Sequence, residues 1–340
     1  MLVEKFAARP DVERIIALDK EPKPDGIQDG GKAVWIQANT SDKNVWWKEA
    51  EKYKPSVVIH AAWQIRDMYG KRRVQWKWNV EGSDTMFDFA FSVPSVKRLV
   101  YFSTVASYGA YPDNTIEHFF KESEPFRESN YNYAEEKRIV EKHLEEKYAA
   151  SDKRVVVGII RPAAITGPRG RFSRIRFGLQ SALSGQLAGS FVYSMVAFLT
   201  SFVPATKKWA RQFIHEDDIV DAAELLALSE RVKGYEAYNL CPPGKPVLAR
   251  DMAEVVGKRI VRVHPLVIRF VFFCMWHLTL GKIPTARGAW KGYSYPIMVN
   301  GAKIANMLGF KYTLSSKDAF QYTNGRYEYV VPEARRKHKT

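Results

Sequence analysis

Cysteine is nearly missing from this chain: 340 residues contain two, Cys241 and Cys274. So few thiols exclude a disulfide framework and a cysteine zinc site, no metal is expected, and a reducing compartment is the default. Internal repeats and low-complexity linkers are also missing. The opening Met1-Leu-Val-Glu-Lys has no secretory-leader character, so a cytoplasmic location is expected, with membrane association left open. There is no dense stripe of cations interleaved with aromatics, which argues against nucleic acid as a partner. No charged residue occurs from Phe177 to Thr206. Within that run Leu187 to Val203 approaches the length of a membrane span, but Ser190, Ser194, Thr200 and Ser201 dilute it. It reads as the apolar lining of a substrate cleft or a dip into a bilayer surface. The run Val267 to Leu278 is equally apolar but carries Arg269 and is too short to cross, so a buried or interfacial helix is expected there.

What is present is ordinary in amount and informative in order. A hydrophobic fraction of 46% and a charged fraction of 26% are those of a globular protein, long enough for a large α/β domain and a smaller lobe. The net charge of +15 is spread over Lys71-Arg72-Arg73, Arg169 to Arg176, Lys207-Lys208, Lys258-Arg259 and the tail from Arg335 to Lys339. That suits phosphate-bearing ligands or an anionic membrane surface. Along the chain, strand-like runs alternate with helical ones. A helix is expected over Leu2 to Arg14, strands at Ile15 to Asp19 and Ala33 to Gln37, and a helix at Lys43 to Lys52. A strand at Ser56 to His60, a helix from about Val80 to Ser92 and a strand at Arg98 to Phe102 follow. The last pair is a helix reaching about Ala149 and a strand at Val155 to Ile160, stopped by Arg161-Pro162. That alternation predicts a doubly wound parallel sheet. The expected division is 1–165 for the sheet domain, 166–330 for a mixed lobe whose strands return to the sheet, and 331–340 for a basic tail.

Tyr133 and Lys137 stand four apart on the helix expected after Ser129, hence on one face. An ammonium near a phenol favours the phenolate and lowers its pKa, and such a phenol exchanges protons with a carbinol or carbonyl oxygen.

Several stretches, taken in order, resemble the extended short-chain dehydrogenase/reductase family of NAD-dependent epimerases, dehydratases and 3β-hydroxysteroid dehydrogenases. They are Val57 to Ala62, Asn79-Val-Glu-Gly82, Val100 to Gly109, Tyr133-x-x-x-Lys137, Ile160 to Pro168, Arg211 to Ile219 and Tyr238-Asn-Leu240. The resemblance implies a Rossmann-like fold and a set of roles. Tyr133 would be the acid/base, Lys137 would hold the nicotinamide ribose, and Thr104 would hydrogen-bond the reacting oxygen, with Ser103 the fallback. Tyr131 is no rival, since its i+4 neighbour is Glu135. Asp19 would bind the adenosine ribose hydroxyls and favour NAD over NADP, a preference that Lys20 weakens. Asn39 would lie near the adenine. Ala61, Ala62, Asn79, Pro162, Ala163 and Ala164 would line the rest of the cofactor site, and Trp63, Tyr108 and Arg211 would face the substrate.

One element of the resemblance is missing. None of the 21 glycines forms a Gly-x-x-Gly-x-x-Gly turn behind a strand, the backbone cradle for a pyrophosphate. The expectation is a truncated N-terminus, with a natural form that has lost its cofactor as the alternative; either way the first, central strand is absent and two buried strands lack a neighbour. Val105, rather than an acid, follows Thr104, which argues against dehydration. The run containing Phe191, Val192, Tyr193, Met195, Val196, Phe198, Leu199 and Phe202 favours a small hydrophobic substrate, sterol- or isoprenoid-like, over a nucleotide sugar. A non-catalytic, membrane-peripheral scaffold is the reading of another class. A homodimer paired through the Tyr133 helix is a further expectation.

Overall fold

A computed structural model describes residues 1–27, 30–152, 154–172 and 202–339. The chain divides into two interleaved compact units. One comprises Met1–Ser103, Glu136–Ile160 and Val220–Ala237, the other Thr104–Glu135, Arg161–Ile219 and Tyr238–Thr340.

The first unit holds a parallel pair and a larger sheet. Strand β1 (Ile15–Asp19) runs parallel to β2 (Ala33–Gln37), with Ile15 opposite Ala33 and Asp19 opposite Gln37. Strands β3 (Val57–His60), β4 (Arg98–Phe102), β5 (Val156–Pro162) and β6 (Tyr235–Leu240) form a sheet in the order β6-β5-β4-β3. The β3–β4 and β4–β5 pairings are parallel. Leu99, Val100 and Tyr101 of β4 are wholly buried, as a strand covered on both faces requires. Among the described strands none joins β1 to β3, so these strands form two sheets where one was expected.

Helices α1 (Leu2–Ala7), α2 (Lys43–Lys52), α3 (Gly82–Ser92) and α4 (Asn132–Ala150) follow the predicted pattern with two shifts. The first helix stops at Ala7, short of Pro10 and Asp11, and Lys5 and Arg9 then ion-pair with Glu224. Helical structure ahead of α3 begins at Arg72 rather than Val80, through a π-helical turn at Lys77–Glu81. The basic run Lys71-Arg72-Arg73 gave no apolar face to signal it. Gly82 has a steric cause: a Cβ there would meet Thr40 Oγ1 at 2.4 Å. The core of this unit is built on Trp46, Phe87, Phe89, Leu99, Tyr101, Leu144 and their neighbours.

The second unit is made of short paired strands. Phe213–His215 runs parallel to Ala164–Thr166, Ile260–Arg262 to Val203–Ala205 and Met298–Val299 to Phe119–Phe120. Helix α5 (Pro265–Leu278) starts with His264 as N-cap, its ring accepting from the Leu266 N–H, and Pro265 in the first turn. The basic tail is fastened to this unit by Lys339–Asp318 at 2.6 Å and His338–Glu328 at 2.5 Å.

Candidate active site

In the second unit Thr104 takes an extended conformation just past β4 and caps a short 3-10 turn, its Oγ1 accepting from the Ala106 N–H at 3.1 Å. Its hydroxyl is hydrogen-bonded to the phenol of Tyr133, near the start of α4. Burial pushes the Tyr133 phenol above its ordinary value, and the Thr104 bond opposes that shift. This corrects the expected lowering: the surroundings hold the phenol protonated.

Tyr108 was expected to face the substrate, yet it has no exposed surface. Its ring stacks on Phe120 at 4.9 Å, and its hydroxyl donates to Asn239 Oδ1 and accepts from Arg161 at 2.8 Å. It is a strut. The Arg161 bond also explains why β5 continues through Arg161-Pro162 instead of stopping before it. Tyr108→Phe is expected to lower stability by about 1–3 kcal/mol, because part of a buried guanidinium loses its acceptor; urea unfolding checks this. Pro162 and Ala163 are buried and Ala164 is exposed, with the Ala163 N–H bonded to Leu240 O and the Ala164 N–H to Gln212 O. Part-buried Arg211 bonds only to the carbonyls of Ala210 and Tyr295, and burial lowers its pKa to about 10. No carboxylate pairs with it among the described residues.

In the first unit Lys137 is 3% exposed, and burial holds its pKa well below the usual lysine value. Its ammonium donates to the Phe102 carbonyl and lies 3.7 Å from the centre of the Trp63 ring. That places Trp63 as a platform beneath the amine. Ser103 is buried and its hydroxyl has no partner among the described residues. Asp19 is exposed at the end of β1, one oxygen accepting the Glu21 N–H at 3.0 Å. Lys20 is ion-paired to Glu21 at 2.5 Å, so its charge is met locally. Asn39 accepts from Ser41 in the turn after β2, Ala61 and Ala62 are exposed beyond β3, and Asn79 is fully engaged by Gln64 and Glu136.

The family model for the NAD dependent epimerase/dehydratase family matches residues 1–241. The chain belongs to that family. The uncharacterized protein Mb0513 of Mycobacterium bovis is 25% identical over 232 residues, 67% of this chain; the chain spans only 56% of that relative's length. Among solved structures, the Bordetella bronchiseptica enzyme WbmG in complex with NAD and UDP is 20% identical with a TM-score of 0.64, over 94% of this chain and 87% of that one. The UDP-glucose 4-epimerase of Thermus thermophilus, in complex with NAD, is 17% identical with a TM-score of 0.65, over 95% and 93%. At these identities the likeness establishes the fold: a mostly parallel, Rossmann-like α/β architecture.

The residues present suit the nicotinamide-ribose end of the family's cofactor, since the buried Ser103 hydroxyl has no partner among the described residues and the Lys137 amine, bonded to the Phe102 carbonyl, has a further N–H to give. The described residues contain no glycine-rich turn for the pyrophosphate. The expected apolar run from Phe191 to Leu199 lies outside the described residues.

One buried ionisable residue escaped the sequence reading. Glu136 is wholly buried, bonded to Asn79 and Gln75, with its pKa raised by burial. A signal existed: Glu136 and Lys137 precede buried Val140, Glu141 and Leu144 by helical spacing, which places both on the covered face of α4.

Proposed function

We propose that the chain catalyses reversible NAD-linked oxidation at a secondary carbinol, with Tyr133 as the acid/base on the reacting oxygen. The observation carrying this reading is the Tyr133 phenol hydrogen-bonded to the Thr104 hydroxyl in the family's order of motifs. Thr104 orients the phenol and offers the reacting oxygen a second hydrogen bond. Lys137 and Ser103 hold ribose hydroxyls, and the Asp19 carboxylate takes the other ribose, favouring NAD because it repels a 2′-phosphate. Bound NAD supplies the hydride acceptor.

For the substrate, the guanidinium of Arg211, with carbonyl partners and no counter-charge, suits a diphosphate. A nucleotide sugar carries one, and the names of WbmG's ligand and of the Thermus enzyme agree with that chemistry. The second reading, a hydrophobic sterol- or isoprenoid-like alcohol, rests on the uncharged run from Phe177 to Thr206.

The test is NADH formation, or epimer formation, with uridine diphosphate sugars set against sterols and isoprenoid alcohols. Arg211→Met is expected to raise KM for the nucleotide sugar by about 10–100-fold, the loss of charge-assisted hydrogen bonds, with NAD affinity unchanged. Turnover of a sterol or isoprenoid alcohol that is indifferent to Arg211 overturns the nucleotide-sugar reading in favour of the second. Failure to bind NAD at all, by calorimetry, overturns both.

A further inference from the structure

Helix α5 is apolar all the way round apart from Arg269 and His277, a pattern that ordinarily marks a helix covered on nearly every side. Among the described residues one side is covered. Ile268 and Met275 point inward, at 5% and 6% exposure. On the opposite side Leu266, Val267, Phe270, Phe273 and Leu278 lie at 58%, 49%, 67%, 62% and 77% exposure. Leu266, Phe270 and Phe273, four and three apart, share one face, and Val267 and Leu278 flank it. Just beyond the helix, Leu280 extends the bare surface at 65% exposure while holding a left-handed backbone, φ +49°, which a leucine rarely adopts. That conformation closes the helix, with the Leu280 N–H bonded to the His277 carbonyl and the Gly281 N–H to the Trp276 carbonyl.

The charge around this helix has one sign. No aspartate or glutamate occurs between Glu254 and Asp318, whereas ten lysines and arginines do. Arg259, Arg269, Lys282 and Arg287 are exposed, and none is paired with a carboxylate among the described residues. The tail behaves differently, because its Lys339 and His338 are met by Asp318 and Glu328. Unpaired cations beside a bare aromatic face match an anionic, apolar-cored partner, which is what a bilayer surface with acidic headgroups presents. Crossing is not at issue. A helix of 14 residues is about 21 Å long, and no described helix is long and apolar enough to span.

We propose that α5 is a membrane-docking helix. It lies in the plane of an anionic bilayer surface, with Leu266, Phe270, Phe273 and Leu278 in the acyl boundary and Arg269 and Lys282 among the phosphates. This docking is independent of the substrate assigned above, because its readout is binding to lipid rather than turnover.

The test is flotation of the full chain with vesicles of phosphatidylcholine containing phosphatidylserine, against vesicles of phosphatidylcholine alone. Binding to the mixed vesicles is expected, weakening about fivefold for each cation removed in Arg269→Gln and Lys282→Gln. Phe270→Ser with Phe273→Ser is expected to lower it by at least about tenfold. Both phenylalanines are largely exposed, so the variant keeps its fold, which circular dichroism checks. Absence of wild-type binding to the mixed vesicles overturns the proposal. So does equal binding to both vesicle types, or a dimer by light scattering that the double serine variant dissociates without changing lipid binding, which would make a second copy the occupant.

Discussion

Tyr133→Phe is expected to lower kcat/KM by about 10²–10⁴-fold, the range for removing a general acid/base, while NAD affinity measured by calorimetry stays as it was. The loss is confined to chemistry because the phenol's protein partner is the Thr104 hydroxyl, a side chain that keeps its own bond to the Ala106 N–H when the phenol is gone. Thr104→Val separates orientation from proton transfer. It leaves the phenol in place, removes one hydrogen bond to the reacting oxygen, and should cost less than the tyrosine change. The pH profile is a second check. Burial raises the phenol's pKa, so in the protein without ligands the group is an acid ready to give a proton to a ketone oxygen, and its deprotonation belongs to the alkaline limb. A Tyr133→Phe protein that retains turnover within about threefold of wild type would remove Tyr133 from the acid/base role altogether.

The strands around this site were legible because each carries its own signal. Leu99 to Phe102 is a continuous apolar run between Lys97-Arg98 and Ser103-Thr104, and the strand forms at the predicted residues. Ile15 to Asp19 and Ala33 to Gln37 likewise form as read, and they pair in parallel. Boundaries failed where a side chain from a distant element decided them. Arg161 looked like a stop, and it continues β5 because Tyr108 and the Glu122 carbonyl take its guanidinium inside. The assignment of Tyr108 to substrate failed for the same reason: position beside Ser103-Thr104 says where a residue lies in the chain, and its wholly buried ring depends on Phe120 and Phe126. Tyr133 and Lys137 were legible as residues of one helix, but the direction of the phenol's pKa was not. Spacing identifies a charged neighbour, whereas burial depends on packing that spacing does not contain. Among the described residues these strands form a parallel pair and a sheet of four.

The largest expected effect on stability comes from a residue the catalytic reading passed over. His60 ends β3 at 2% exposure, stacked on Tyr101 at 5.7 Å and edge-on to Phe87 at 5.9 Å. Its Nε2 is 2.8 Å from the Ser83 hydroxyl, and that hydroxyl gives its own proton to the Asn79 carbonyl. The imidazole is therefore the donor, neutral with the proton on Nε2. Burial first, and the nearby Lys137 second, lower its pKa from 6.5 to about 3. The sign follows from proton uptake. Below about pH 6.5 the unfolded chain binds a proton that the folded chain refuses, so stability falls as pH drops and the loss is complete near the folded pKa. At 1.36 kcal/mol per unit the loss is about 2 kcal/mol at pH 5 and about 4–5 kcal/mol near pH 3. Other groups titrate in the same range, so the measurement is a difference: urea unfolding of wild type and His60→Gln from about pH 7 to about pH 4.5. The glutamine can still donate to Ser83 but takes up no proton. It is expected to be the less stable protein at neutral pH, because it gives up the stacking on Tyr101, and to close that gap on acidification. A gap that stays constant across the range would mean that His60 titrates alike in both states, and that the buried neutral imidazole is not what makes this fold acid-sensitive.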